Sequence, residues 1–366
     1  MSSAPVIFEP SRLLLRGSLT SIAGFLALLA CALFVAPEMA SPAQEPSALE
    51  RVRSATIVLP PRVMAGHPAT LAVFGADGKL APGVTVALNN GLTVTTDATG
   101  RALFTTPSAG PYLLAKAAGT TATALVDPAV GSSEPAAPTV PAVASLRDRF
   151  WFCAAGLQGK ADTNEVRIGG QPALVVAASP ECLVVLAGAN TPPGRAEISA
   201  EAPGVRWSAA ATFVSFEFDP PRPPLLPDKK GSLVVLARGS EEKLDIVVEN
   251  ESPGVMQFAH GDAEAQRTSG GPRNIAAIPV KAVRSGDFSF RVRLVPPPDP
   301  ESARRYLLAA EPLSETRMGR EAADIAHRLG RHPQDYGRER AAIERLLEET
   351  GDSDFHSLLA AALDAL

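Results

Sequence analysis

The sequence predicts a mainly β protein made of tandem β-sandwiches and a short α-helical C-terminal region. Between residues 52 and 296, short alternating or β-branched apolar runs recur, and Asn-Gly, Asp-Gly or Pro-Gly pairs separate them. Several strands at such spacing are typical of sandwiches and barrels. From residue 299 onward, the apolar residues instead recur at i, i+3, i+4 and i+7, the period of an amphipathic helix. With 366 residues, 46% of them apolar, the chain is long enough to bury several cores.

The composition argues against nucleic-acid binding and indicates separate modules. Charged residues make up 20% of the chain and the net charge is −5, so there is no basic field that would attract a phosphate backbone. The 34 prolines are nearly twice the usual share of roughly 5%, and they cluster in a few segments. Proline-rich segments form semi-extended spacers, so these clusters predict linkers between modules.

The N-terminal segment predicts export. An apolar run at residues 17–36 follows Arg12 and Arg16. As a secretory signal it would be cleaved near residues 41–43, whose small residues suit a signal peptidase. As an uncleaved anchor it is just long enough to span a bilayer, and the arginines before it place the remainder outside. A third interpretation uses the segment that ends at Cys31, which resembles a lipoprotein cleavage box. All three interpretations export the bulk of the protein.

Cysteine usage fits an oxidising compartment. Outside the apolar run only Cys153 and Cys182 remain, an even pair that predicts a disulfide. Two buried thiols are the alternative, which the sequence leaves open. The chain has no CxxC pair, and its five histidines are scattered, so neither a metal site nor a cofactor is predicted.

The proline clusters and the change of period divide the chain into modules and linkers. The predicted order is a signal sequence or membrane anchor at 1–36, a linker at 37–51, a β-sandwich at 52–126, a Pro/Ala-rich linker at 127–145, a second sandwich at 146–218, a Pro-rich linker at 219–229, a third sandwich at 230–296 and an α-helical region at 299–366.

The first module contains about seven short strands. Asn90-Gly91 lies between alternating runs, which is a strong hairpin signal because both central residues need positive φ. The stretches "GVTV", "TDATGRA" and "GPY" resemble the bacterial Ig-like repeats of invasin-type surface proteins. This resemblance implies an Ig-like sandwich. Within it we interpret Asp97 as a turn-forming residue, with Gly100 closing the hairpin, and not as part of a catalytic site.

The second module resembles the IPT/TIG group of Ig-like domains. The resemblance rests on a strand at 166–173, on Ser179-Pro180, on Pro193-Gly194 and on a strand at 196–198. It implies another Ig-like sandwich, in which a bridge between Cys153 and Cys182 would join the first strand to a middle one. Together the two resemblances imply adhesion or protein binding.

The third module and the C-terminal region are predicted from periodicity alone. Strict alternation in "KLDIVVEN" and "FSFRVRLV" predicts strands with one buried and one solvated face. The four helical segments after residue 299 are short, so they must pack on each other or on a partner to be stable.

No catalytic motif is present. The chain lacks G-x-S-x-G, P-loop, H-E-x-x-H and strand-linked G-x-G-x-x-G patterns, so no catalytic residue is predicted. Phe150, Trp151 and Phe152 are consecutive, so a strand there turns at least one of them away from its core. Trp151 is therefore the candidate interaction residue, although packing under a neighbouring loop is the alternative.

These observations predict a non-catalytic, exported cell-envelope protein, an Ig-like scaffold for protein interaction or adhesion. It would be periplasmic or extracellular and bind a protein partner in the envelope. It would contact the inner membrane through residues 17–36 if that segment stays uncleaved. Two alternatives remain: an accessory binding component of a polysaccharide- or peptide-processing system, and an enzyme whose inter-domain site leaves no motif.

Overall fold

The computed structural model of the protein describes residues 55–129, 137–221, 225–259, 265–270, 275–314 and 317–366. Within these ranges the chain forms three β-sandwiches and a C-terminal helical bundle. The predicted class, tandem Ig-like β-sandwiches followed by an α-helical region, is confirmed. The apolar run at 17–36 lies outside the described residues, so the structure does not bear on it. In the described part, no helix has the length and apolar character needed to span a membrane.

The first sandwich buries one apolar core between two sheets. One sheet contains β1 (Thr56–Val58), β3 (Pro68–Phe74) and β6 (Arg101–Thr105), and the other contains β2 (Arg62–Met64), β8 (Thr120–Asp127), β7 (Tyr112–Ala117), β4 (Thr85–Leu88) and β5 (Thr93–Thr95). β1 pairs antiparallel with β3, whereas β2 pairs parallel with β8. Pro60 and Pro61 separate β1 from β2, because proline cannot donate to a continuous ladder. The first strand is therefore divided between the two sheets.

The turn at Asp97 has the structural role predicted for it. One carboxylate oxygen of Asp97 accepts the backbone N–H groups of Thr99 at 2.8 Å and of Arg101 at 3.3 Å. The hydrogen bond from the Thr99 hydroxyl is the main reason why the pKa of Asp97 is lowered. Gly100 has φ +71°, and a Cβ at this position would lie 2.7 Å from that of Leu80. The segment thus closes a hairpin of the sandwich.

The second sandwich contains the predicted disulfide. Its strands are β9 (Val143–Ser145), β10 (Arg149–Cys153), β11 (Glu165–Ile168), β12 (Gln171–Ala178), β13 (Cys182–Leu186), β14 (Gly194–Ala202) and β15 (Val205–Asp219). Cys153 and Cys182 are directly opposite each other in the antiparallel pair of β10 and β13, and they are bridged. β12 pairs with β11 up to Ala173 and with β13 from Leu174 onward, and the β12–β13 ladder has a register shift between Val175 and Ala177. The disulfide therefore pins the sheet that faces the first sandwich.

One long strand joins the second and third sandwiches. β15 pairs with β14 up to Phe213 and with the next strand, β16, from Ser215 onward. The third sandwich places β15, β16 (Lys230–Arg238), β20 (Ile275–Ala282) and β18 (Met256–Phe258) in one sheet, and β19 (Ala265–Ser269), β17 (Asp245–Asn250) and β21 (Phe290–Leu294) in the other.

Two of these strands fall in or next to segments predicted as linkers. β9 lies inside 127–145, and the shared strand β15 ends at Asp219, where the Pro-rich segment 219–229 begins. A three-residue strand within a Pro/Ala-rich stretch carries too few residues to show alternation. A strand that continues across two modules shows no boundary signal either.

The C-terminal region is a bundle of four helices that returns to the first sandwich. The helices are α1 (Pro300–Ala310), α2 (Arg317–Arg331), α3 (Tyr336–Glu349) and α4 (Ser353–Asp364). Asp299 caps α1 by accepting the N–H of Ser302, and Asp352 caps α4 by accepting those of Asp354 and Phe355. The bundle core includes Leu125 of β8. The short helices thus pack on each other and on a strand far away in sequence.

The first two sandwiches pack through the outer faces of their sheets. An apolar cluster containing Val58, Ala72, Val176 and Val184 fills the contact. Polar bonds surround it: the Thr70 hydroxyl donates to the Gly159 carbonyl at 2.6 Å, and the Ser179 hydroxyl donates to the Arg62 carbonyl at 2.7 Å. A Cβ at position 159 would lie 1.8 Å from the Pro68 carbonyl oxygen, so the close approach requires glycine.

We expect replacement of both bridged cysteines, Cys153→Ser with Cys182→Ser, to lower the free energy of unfolding by roughly 3 kcal/mol. The bridge spans 29 residues of sequence, and a loop of that size removes this much chain entropy from the unfolded state. Urea denaturation of the oxidised protein and of the variant measures the difference. In the presence of a reductant the two proteins should unfold at the same urea concentration. Equal stability of the oxidised protein and the variant would contradict the expectation.

Candidate functional site

Four charged residues meet where the first sandwich, the second sandwich and the helical bundle come together. Asp127, at the end of β8, is buried. Its two carboxylate oxygens pair with Arg62 of β2 and with Arg305 of α1, each at 2.7 Å. Arg305 also donates to the Val126 carbonyl at 3.3 Å. We call the group Arg62, Asp127, Glu181 and Arg305 the carboxylate joint.

Glu181 brings the second sandwich into this joint. It lies in the turn between β12 and β13, beside Asp127, and its Oε2 atom is buried without a hydrogen-bond donor in the described part of the chain. Burial, followed by a hydrogen bond to Asp127 and the charge of that group, raises the pKa of Glu181 to about 7. Despite its own burial, the pKa of Asp127 is lowered, because Arg62 and Glu181 hydrogen-bond to its ionised form. A protonated Glu181 can therefore donate a hydrogen bond to the ionised Asp127.

Next to the joint is a cavity of about 430 Å³, which we call the junction cleft. All three units contribute to it. Its lining residues include Ile57, Val58, Leu59, Thr121, Ala122 and Thr123 of the first sandwich, Arg149, Phe150, Trp151 and Val184 of the second, and Tyr306, Ser357, Ala361 and Asp364 of the helices.

Trp151, the predicted interaction residue, lines the junction cleft. Phe150 and Phe152 point into the core of the second sandwich, so the alternation of β10 turns Trp151 to the outer face. Its exposed fraction of 36% makes it one of the exposed large apolar residues in the described part of the chain. The structure gives Trp151 the location expected of an interaction residue, and its role in binding stays a prediction.

Arg149 is the cationic group of the cleft. Its guanidinium lies 5.0 Å from the centre of the Phe74 ring, a cation–π contact across the two sandwiches. No carboxylate of the described residues forms an ion pair with it, whereas its neighbour Arg291 pairs with Asp148 at 3.3 Å. Burial lowers the pKa of Arg149, and the positive charge of Arg291 lowers it further. The charge of Asp148 attracts Arg149, but within the described ranges the Arg149 guanidinium makes no direct ion pair.

The helical wall of the cleft carries hydroxyl and carboxyl groups. Tyr306 is buried and hydrogen-bonded to Thr123, and burial raises the pKa of its phenol to about 12. The Ser357 hydroxyl donates to the Ser353 carbonyl at 2.7 Å and lies 3.3 Å from the hydroxyl of Thr121. The Asp364 carboxylate is partly exposed to solvent, and the burial of its other side raises its pKa. These groups give the cleft hydrogen-bonding capacity as well as apolar surface.

A second concavity, of about 350 Å³, lies on the surface of α2. Its lining residues, which include His327, Arg328 and Arg331, all come from this one helix. Arg328 is already bound by both oxygens of the buried Glu339. In the described ranges, no group of three His, Cys, Asp or Glu residues is placed to hold a metal ion. The junction cleft, built from three units, is therefore the better candidate for a binding site.

The sequence pointed to Trp151 but not to the groups around it. Arg149 and Arg62 lie in strands whose pattern only indicates burial, and Asp127 begins a segment predicted as a linker. Glu181 lies next to the bridged Cys182, and nothing local distinguishes it from a surface glutamate. Arg305 is one of many arginines on the C-terminal helices. Their meeting depends on contacts between residues that lie about 50 to 180 positions apart in the sequence, and such contacts leave no local signal.

No protein-family model matches the chain, and no curated protein matches it either. Solved structures that resemble it include the Bacteroides ovatus mixed-linkage glucan utilization locus protein SGBP-B in complex with a mixed-linkage heptasaccharide, at 13% identity and TM-score 0.25, covering 69% of this chain and 76% of that one. The I9–I11 tandem of titin is 10% identical, with a TM-score of 0.20, and the match covers 66% of this chain and 94% of that one. The N-terminal four Ig domains of Dscam1 isoform 6.44 are 11% identical, with a TM-score of 0.20, and the match covers 63% of this chain and 72% of that one. The description of the fold given above rests on the strand topology itself.

We expect Glu181→Gln to remove a pH dependence of stability between about pH 4.5 and pH 7. The raised pKa of Glu181 means that its contribution is fully present below pH 4.5, its ordinary pKa, and is lost as the pH rises through about 7. The glutamine amide can still donate to Asp127 but does not ionise. At pH 8 the variant should therefore be more stable than the natural protein by roughly 1–2 kcal/mol, after allowance for solvent screening.

Urea denaturation at several pH values measures this difference. Glu241→Gln, at an exposed position in the third sandwich, is the matched control and should leave the pH profile unchanged. Parallel pH profiles for the natural protein and Glu181→Gln would show that Glu181 does not titrate in this range.

Proposed function

We propose that the protein is a non-catalytic, exported scaffold of the cell envelope that binds a protein partner at the junction cleft. The observation that carries this proposal is the cleft itself, which forms only where two sandwiches and the returning helical bundle meet. It presents Trp151 beside Arg149, which makes no direct ion pair with any residue that the structure describes. Exposed tryptophan and arginine are the residues most enriched in the energetic centres of protein interfaces.

The disulfide and the N-terminal sequence support export. The bridge between Cys153 and Cys182 is of the kind that persists in oxidising compartments. An apolar run at 17–36, whether cleaved or kept as an anchor, would deliver the three sandwiches to the periplasm or the exterior. We assign the first sandwich to the invasin type and the second to the IPT/TIG type on the sequence patterns alone. The domain limits given above belong to the same proposal.

The polar groups of the cleft favour binding over catalysis. The Ser357 hydroxyl donates to a backbone carbonyl, and in the part of the chain that the structure describes no histidine or carboxylate hydrogen-bonds to it. Tyr306 keeps its proton, because burial raises its pKa to about 12. The same cleft would serve an accessory component of a polysaccharide- or peptide-processing system. Identification of the protein that binds the cleft would distinguish this accessory role from that of a structural scaffold.

We expect Trp151→Ala in the full exported chain to reduce capture of the partner from an envelope extract strongly. A buried interface tryptophan contributes about 2 kcal/mol or more, which corresponds to a loss of roughly 30-fold in affinity. Quantitative mass spectrometry of captured proteins measures the loss. The matched control is Leu226→Ala, which truncates a more exposed apolar residue, at 61% exposure, in the segment between β15 and β16.

The control variant should capture the same partner as the natural protein. Equal capture by the natural protein and Trp151→Ala would refute the cleft as the binding site. Hydrolytic turnover by the pure protein, without any captured partner, would refute the non-catalytic assignment.

A further inference from the structure

The junction cleft and the carboxylate joint are built from neighbouring residues of the same elements. Three residues that line the cleft lie within three positions of a joint residue: Pro61 before Arg62, Tyr306 after Arg305, and Val184 after Glu181. Val184 is also the antiparallel partner of Trp151, which lies opposite it on β10. A displacement at the joint therefore changes the shape of the cleft and the surroundings of Trp151.

Glu181 is the residue that the second sandwich contributes to the joint. Its backbone N–H donates to the Ser179 hydroxyl at 3.3 Å, and this hydroxyl donates to the Arg62 carbonyl at 2.7 Å. These groups do not ionise. The side chain of Glu181 in addition hydrogen-bonds to Asp127. The turn between β12 and β13 therefore reaches the first sandwich through one neutral connection and through one that can gain or lose a proton.

The charged groups that face the Glu181 carboxyl group are Asp127 of β8, Arg62 of β2 and Arg305 of α1. Both arginines already bind the carboxylate of Asp127, each at 2.7 Å, and Asp299 just before α1 also attracts Arg62. Within the ranges that the structure describes, no donor reaches the Oε2 atom of Glu181. An ionised Glu181 would thus place a second negative charge beside Asp127, with one oxygen that accepts no hydrogen bond. Such a buried charge is costly.

Protonation decides whether the Glu181 side chain stays on Asp127. The protonated carboxyl group donates a hydrogen bond to the ionised Asp127. Because burial and this hydrogen bond raise the pKa of Glu181 to about 7, the side chain is protonated at mildly acidic pH and ionised at mildly alkaline pH. Glu181 is only half-buried, so its ionised side chain can turn from Asp127 to the solvent.

We propose that the carboxylate joint is a pH-sensitive switch that sets the shape of the junction cleft. At mildly acidic pH, the hydrogen bond from Glu181 to Asp127 holds the turn between β12 and β13 on the first sandwich. At mildly alkaline pH this bond is lost, and the turn shifts together with Val184 on the cleft wall. The apolar contact between the two sandwiches contains no titratable group, so the sandwiches stay attached and the change is local. The inference rests on the proposed function and adds the regulation of its site.

The emission of Trp151 tests the switch without a partner. The chain has two tryptophans, so Trp207→Phe leaves Trp151 as the reporter. In this background we expect the emission to change between about pH 6 and about pH 8, with a midpoint at about 7. Adding Glu181→Gln should abolish the change and keep the emission at its low-pH value, because the glutamine amide donates to Asp127 at every pH.

Two control variants in the same background assign the transition. Glu241→Gln removes an exposed carboxylate of the third sandwich and should leave the transition unchanged. His356→Gln removes an exposed imidazole next to Ser357 of the cleft, and histidine side chains in general ionise in this range of pH. It should also leave the transition unchanged. Loss of the transition in His356→Gln, or its persistence in Glu181→Gln, would overturn the proposal.

Amide hydrogen exchange locates the change in the natural protein. Peptides that contain residues 59–62 and residues 179–184 should exchange roughly tenfold faster at about pH 8 than at about pH 6, after correction for the intrinsic pH dependence of exchange. β17 of the third sandwich contributes nothing to the joint and should exchange at the same corrected rate at both pH values. In Glu181→Gln neither segment should differ between the two pH values. Equal exchange of both segments in the natural protein would contradict the switch.

Partner capture at about pH 6 and about pH 8 separates the switch from the proposed function. The natural protein should capture at least about threefold more partner at the lower pH, and Glu181→Gln should capture equal amounts at both. Capture that depends on Trp151, together with an emission that does not change with pH, would refute the switch and leave the proposed function standing. An emission change that depends on Glu181, without any captured partner, would support the switch and refute the proposed function.

Discussion

A buried carboxylate, Asp127, joins three units that are far apart in the sequence. Burying a charge without a partner is strongly destabilising, so Asp127 requires the two arginines that contact it. Arg62 comes from the same sandwich, but Arg305 arrives only if the chain folds its C-terminal helices back onto the first sandwich. Glu181 adds the second sandwich to the same point. The relative placement of all three units therefore follows from satisfying one charge.

The junction cleft is a consequence of this arrangement. The apolar contact through Val58 and Val184 holds the two sandwiches together on one side, and the helices pack against β8 on another. The three units leave a cavity where they meet, and polar side chains such as those of Tyr306 and Ser357 line it. A site built on strands and helices that are fixed by packing loses little conformational entropy when it binds. A cleft of this kind is therefore preorganised.

Local features of the fold were predictable from the sequence, and the features that create the site were not. Turn residues such as Asp97 and Gly100, the pairing of Cys153 with Cys182, and the change to a helical period leave signals within a few residues. The return of the helices to Leu125 and the pairing of Asp127 with Arg305 bring together positions about 180 residues apart. No periodicity encodes such contacts. Trp151 was recognisable because it lies between two buried phenylalanines, but the cleft it faces was not.

The strand shared by the second and third sandwiches has a mechanical consequence. An ordinary linker lets neighbouring domains swing, because few bonds resist rotation about it. In β15, residues on either side of Val214 are held by ladders in two different sheets. Bending at this point would break hydrogen bonds of both sandwiches at once. The second and third sandwiches should therefore keep a fixed relative orientation, with little of the hinge motion that an ordinary linker allows.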